Sequence, residues 1–78
     1  MFDNELMKNI IRSILVDLRI EHNLSQTEVG KIVGKSKTAV ASWEQGLSMP
    51  DAVTLYHLAR YYGKSINYMY GEGSKYDR

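Results

Sequence analysis

The sequence predicts an all-α fold, a compact set of five short helices. Apolar residues recur at i, i+3 and i+4 through most of the chain. Residues that favour helix N-caps, Ser25, Ser36, Asp51 and Ser65, stand just before those periodic runs. No internal repeat and no strand pattern appears. With 78 residues the chain makes a single domain, 1–78.

The first helix is expected from about Asn4 to His22, with a core stripe of Leu6, Ile10 or Ile11, Leu15 and Leu18. Val16 and Ile20 add an apolar pair one turn apart, either the edge of a wide core face or a contact for another segment. The second helix opens on a capping box. The Ser25 hydroxyl accepts from the Glu28 amide, and the Glu28 carboxylate reaches back to the Ser25 amide. Leu24 and Val29 fit a hydrophobic staple around that cap, and Val29, Ile32 and Val33 supply the apolar spacing. Gly34 suits the left-handed end of this helix.

Ser36 caps the third helix, whose apolar face is Ala39, Val40 and Trp43 and which Gly46 stops. So short a gap does not allow a long-armed hairpin, and the second and third helices must cross steeply. Gly30 faces that crossing and permits close approach. After the loop Gly46-Leu47-Ser48-Met49-Pro50, Asp51 caps a fourth helix over 52–62 with Ala52, Leu55, Leu58, Ala59 and Tyr62 inward. Gly63 ends it. Ser65 caps a last short helix, Ile66 to Tyr70, and the tail from about 72 to 78 has no periodic pattern and is expected to fray.

Composition narrows the chemistry. There is no cysteine, so no disulfide framework or thiolate zinc site is expected, and a reducing interior is compatible. No apolar run reaches the length of a membrane span. His22 and His57 lack a second ligand at i+3 or i+4, so no metal and no cofactor is expected. No Ser/His/Asp arrangement has supporting context, and Gly71-Glu72-Gly73 lacks the following helix of a phosphate loop. Nothing predicts an enzyme. The tyrosines at 56, 61, 62, 68 and 70 fall in a helical pattern beside a core, which suits packing and subunit contact better than base stacking.

The net charge is only +1, but Lys31, Lys35 and Lys37 gather around the start of the third helix. The segment 25–45 thus combines two steeply crossed helices with small polar and basic side chains on the free side of the second. That is the pattern of a DNA-reading helix-turn-helix.

The chain resembles the lambda-repressor-like, Cro/XRE-type helix-turn-helix family. The resemblance rests on Leu24-Ser25-Gln26, Gly34, Ser36, Trp43-Glu44-Gln45-Gly46 and Pro50, then Leu55, Leu58-Ala59, Gly63 and Ser65. It covers roughly residues 9 to 72. It implies a five-helix DNA-binding domain and a cytoplasmic transcriptional regulator, a repressor of bacterial or phage type that binds a palindromic operator as a homodimer.

By position, the resemblance assigns base reading to Lys37, Thr38, Ala41 and Ser42. Their chemistry suits base edges. Lys37 can donate to guanine O6 and N7, Thr38 and Ala41 can meet a thymine methyl, and Ser42 can donate or accept. The resemblance places Gln26 at a phosphate, with Ser36 and Gln45 similarly placed for the backbone, and Lys35 joins them as a phosphate candidate on its own charge. Lys35 departs from the family, which usually has an apolar residue there; its stem can lie along the turn with the ammonium outward. Arg19 and Glu44 match a pair that orients the reading helix. Dimerisation is implied around the fifth helix, where Ile66 and Tyr68 are the candidates. No sensor domain is visible, so induction would come from an unseen regulatory protein, from degradation, or from a further domain if the chain is a fragment of a longer repressor. The rival expectation is a protein-interaction or antitoxin-like module on the same fold, which would carry a more apolar face in place of Lys37, Thr38 and Ser42.

Overall fold

The computed structural model describes residues 3–77. Five helices follow in order: α1 (Asn4–Glu21), α2 (Gln26–Val33), α3 (Lys37–Glu44), α4 (Ala52–Tyr62) and α5 (Ile66–Met69). Each begins where a short polar side chain closes its first turn. Asp3, Ser25, Ser36, Asp51 and Ser65 accept from the amide three residues on. The Ser25–Glu28 pair forms the complete capping box. These bonds also hold the Glu28 carboxyl below its ordinary pKa through Ser25, and that of Asp51 below its own through Thr54.

The helix ends share a device as well. The amides of Leu24, Lys35, Leu47, Lys64 and Glu72 each reach back to the carbonyl five residues earlier. The residue before each donor, Asn23, Gly34, Gly46, Gly63 or Gly71, has positive φ. This is Schellman closure, and it satisfies carbonyls that a helix end otherwise leaves open. Asn23 is the one non-glycine, at φ 55°, a conformation that asparagine tolerates better than most side chains.

The core is continuous across all the helices. Ile10, Ile11, Ile14, Leu15 and Leu18 of α1 meet Val29, Val40, Trp43, Leu55, Leu58, Ala59, Tyr62 and Met69. Helix α1 therefore buries both Ile10 and Ile11, and Ile14 with them. Two positions expected inside lie outside. Ala52 is exposed at the start of α4, and Ile32 remains 38% exposed. The reason for Ile32 lies at Gly30, which is buried against the following turn. A Cβ on Gly30 would sit 2.5 Å from the Lys35 carbonyl oxygen. Close approach there rotates the buried side of α2 toward Val29 and Gly30, and Ile32 turns away.

The tail, which has no periodic pattern in the sequence, lies folded back on α1 in a series of turns. Tyr76 packs against the core, and its hydroxyl donates to Asp17 Oδ2 at 2.7 Å. Lys75 Nζ lies 3.3 Å from the same oxygen, and the carboxylate holds the Lys75 ammonium above its usual pKa. Gly71 makes the fold-back possible. It is buried at φ 105°, and a Cβ there would stand 2.9 Å from Ile10 Cγ2. Arg78 lies outside the described residues. No helix among the described residues is long and apolar enough to cross a membrane.

Candidate nucleic-acid interface

Helix α3 presents the candidate site. Val40 and Trp43 are buried and Ala39 is half-buried, so the opposite side is left free. Lys37, Thr38, Ala41, Ser42 and Gln45 share that side by the helical repeat. Lys37, Thr38 and Gln45 are exposed, and Ala41 and Ser42 are half-buried at its margin. The Ser36 hydroxyl is committed to the Ala39 amide at 3.1 Å. Cap and capped turn together place Lys37 and Thr38 at the leading end of the helix.

The orientation of α3 is held by one carboxylate. Arg19 donates from Nε to Glu44 Oε2 at 2.7 Å and from Nη2 to Oε1 at 3.0 Å. Its Nη1 donates to the Leu24 carbonyl at 3.0 Å, which anchors the guanidinium to the turn between α1 and α2. Gln26 Nε2 adds a third bond to Glu44, at 3.0 Å to Oε1. The side chains of Arg19 and Glu44 are 19% and 8% exposed, so the pair is largely shielded from water. The Glu44 bond raises the Arg19 pKa above its ordinary value. Burial, with a further contribution from the Glu44 charge, pushes the neighbouring Tyr62 phenol up to about 12.

The expected phosphate residues fall into two situations. Gln26 stands at the first turn of α2 with part of its amide engaged by Glu44, a role for which its position in the sequence gave no signal. Lys35 is exposed, with Nζ 3.6 Å from Asp51 Oδ2. Both groups face solvent, and such a pair is weak enough to open. A further contact was also unsignalled: Ser42 Oγ lies 2.7 Å from Ser48 Oγ in the loop after α3.

Ile66 and Tyr68 do not come together. Residues two apart on a helix point to nearly opposite sides. Ile66 is exposed and lines an apolar groove of about 350 Å³ between α4 and α5, with Ala52, Tyr56, Ala59, Arg60 and Tyr70. Tyr68 is half-buried on the other side, with Lys64 Nζ 4.5 Å from its ring centre, and faces Ile14, Leu18 and Tyr76. His22 is occupied otherwise than as a ligand: its Nδ1 lies 2.8 Å from the Leu18 carbonyl oxygen, and its ring packs 4.7 Å from that of Tyr62. Among the described residues no group of three His, Cys, Asp or Glu side chains could hold a metal ion.

Comparison with known proteins bears on this geometry. A helix-turn-helix family profile matches residues 15–69. The chain is 38% identical over 50 residues to the cryptic phage CTXphi transcriptional repressor RstR of Vibrio cholerae. That match takes in 64% of this chain and 45% of the relative, so the aligned part spans less than half of the relative's length. The fold is similar to the P22 c2 repressor protein, solved in complex with synthetic operator 9T. The TM-score is 0.72 at 25% identity, over 86% of this chain and 96% of the other.

Proposed function

Because this chain belongs to the helix-turn-helix family, we propose that it is a sequence-specific double-stranded DNA-binding transcriptional repressor of phage or bacterial type. The observation that carries the reading is the outer side of α3. It is polar and basic, its leading end is exposed, and a shielded three-residue hub holds its angle. An α-helix fits the major groove of B-DNA, and its first residues reach the base edges there. Lys37, Thr38, Ala41 and Ser42 are the base readers in this reading, with Gln26, Lys35, Ser36 and Gln45 at phosphates. The likeness to a repressor solved on its operator supports the same docking. Such a protein works where the DNA is, inside the cell.

One reading helix covers too few base pairs to single out a site in a genome. A homodimer on a palindrome, with half-sites about 10 base pairs apart, meets that need. Ile66, with Tyr56 and Tyr70 beside it in the α4–α5 groove, is the apolar surface best placed to pair, while Tyr68 is already engaged within the monomer. Selection of binding sites from a random duplex pool tests the function. The expected result is one enriched palindrome, bound more tightly than its half-site, with Ile66→Glu abolishing that advantage in a folded protein. A pool without any enriched sequence would overturn the reading.

A further inference from the structure

We propose that Ser48, outside the two-helix motif, is a positioning residue that fixes the Ser42 hydroxyl and thereby sets which base edge Ser42 reads. The proposal rests on the DNA-binding reading above. Its basis is a double attachment of the loop to one residue. The Leu47 amide donates to the Ser42 carbonyl at 3.0 Å, and the next side chain, Ser48, meets the Ser42 hydroxyl at 2.7 Å. Gly46, at φ 77°, turns the chain back alongside the last turn of α3 and brings both contacts to the same place. In this kind of helix ending the residue at position 47 commonly makes an apolar contact with the residue at position 42. Here that partner is a serine, and Leu47 stands 74% exposed. Polar bonds to Ser42 therefore hold the loop where an apolar contact is the usual means.

The consequence for reading follows from hydroxyl chemistry. An isolated serine hydroxyl donates one hydrogen and accepts on two lone pairs, so it meets donor and acceptor base edges alike. Pairing with Ser48 occupies one of these sites and ties the use of the others to the direction of the bond. If Ser42 donates to Ser48, only lone pairs remain, and they suit adenine N6 or cytosine N4. If Ser48 donates, the Ser42 hydrogen is free for guanine O6, thymine O4 or a purine N7. Both hydroxyls lie at an exposed margin of α3, and the bond between them polarises each one. Ser48 thus acts on the base through Ser42.

Site selection with wild type, Ser48→Ala, Ser48→Thr, Ser42→Ala and the Ser42/Ser48 double alanine variant tests this. Ser48→Ala is expected to flatten the preference at one base pair per half-site by about three- to ten-fold, the worth of a single hydrogen bond. Other positions should keep their preference, and any fall in the unfolding temperature should be small and matched by Ser42→Ala, which removes the same bond. Ser42→Ala should flatten the same base pair, the double variant should add nothing to it, and Ser48→Thr, which keeps the hydroxyl, should restore the wild-type preference. An unchanged preference in Ser48→Ala, a loss spread evenly over all sequences, or failure of Ser48→Thr to restore would overturn the positioning role. If the wild type itself enriches no sequence, the DNA-binding reading fails first and this proposal falls with it. If the wild type enriches a site that Ser48→Ala reads identically, only the positioning role fails.

Discussion

Gln26 donates to Glu44 Oε1 over 3.0 Å, on the same carboxylate that Arg19 grips with two nitrogens. A single shielded side chain therefore ties the start of α2 and the last turn of α1 to the end of α3. Helix-turn-helix docking depends on the angle between the supporting and the reading helix. Glu44, largely shielded from water, fixes that angle from within the protein.

The hub should be costly to break from one side. Arg19→Met leaves Glu44, only 8% exposed, without its cation. Loss of one partner from a buried pair costs about 3–5 kcal/mol, whereas an exposed pair is worth about 0–1 kcal/mol. Urea denaturation should show the larger loss for Arg19→Met. A midpoint close to that of wild type would mean that solvent already screens the pair.

Tyr62 predicts an alkaline limit to stability. The folded protein holds this phenol near 12 against an ordinary value of 10.0, because its neutral form is the buried one. The unfolded chain gives up the proton first as the pH rises. The contribution is complete below pH 10 and is lost between 10 and about 12, to a total of about 2–3 kcal/mol. Denaturation of Tyr62→Phe across that range should show a shallower decline than wild type. Parallel curves for the two proteins would refute the assignment.

The tail should stabilise the domain. The Tyr76 hydroxyl bonds to Asp17, and its ring lies against the core. Tyr76→Phe removes the bond alone and should cost about 1–2 kcal/mol. Tyr76→Ala removes the packing as well and should cost more. Thermal unfolding of the two variants separates the contributions, and wild-type behaviour in Tyr76→Ala would show that the docked tail contributes nothing.

What could be read in the sequence was local. Caps act over three residues, so Ser25 with Glu28, Ser36, Asp51 and Ser65 marked helix starts that the fold uses. The helical period likewise located most of the core. What could not be read joins distant residues or depends on the rotation of a helix. Tyr76 and Asp17 are 59 residues apart, and no pattern in the tail announces their contact. The outward turn of Ile32 follows from how closely α2 and α3 approach at Gly30, which periodicity alone does not specify. Ile66 and Tyr68 both looked free because each is large and lies on a short terminal helix. Their spacing of two sends them to different sides, and only one side was already filled by the core. At the candidate site, the residues of α3 were legible because they lie on one helix. The partners that hold them, Gln26 on Glu44 and Ser48 on Ser42, come from other segments and were not.

Lys35 and Lys37 should separate phosphate from base contacts. Lys37 stands exposed in the first turn of α3, where a side chain can enter the major groove. Lys37→Ala should cost about 1–3 kcal/mol on the preferred site and relax the preference at one base pair. Lys35 lies just before the cap, and its neighbour Asp51 is a solvent-facing partner that a phosphate can displace. Lys35→Ala should weaken specific and non-specific DNA alike, leave the preferred sequence unchanged, and lower the slope of log affinity against log salt by about one unit per half-site. Titrations at several salt concentrations, with site selection on each variant, read both effects. If Lys35→Ala keeps the wild-type slope, its ammonium stays with Asp51 in the complex. If Lys37→Ala keeps every base preference, Lys37 is a backbone contact and sequence reading belongs to Thr38, Ala41 and Ser42.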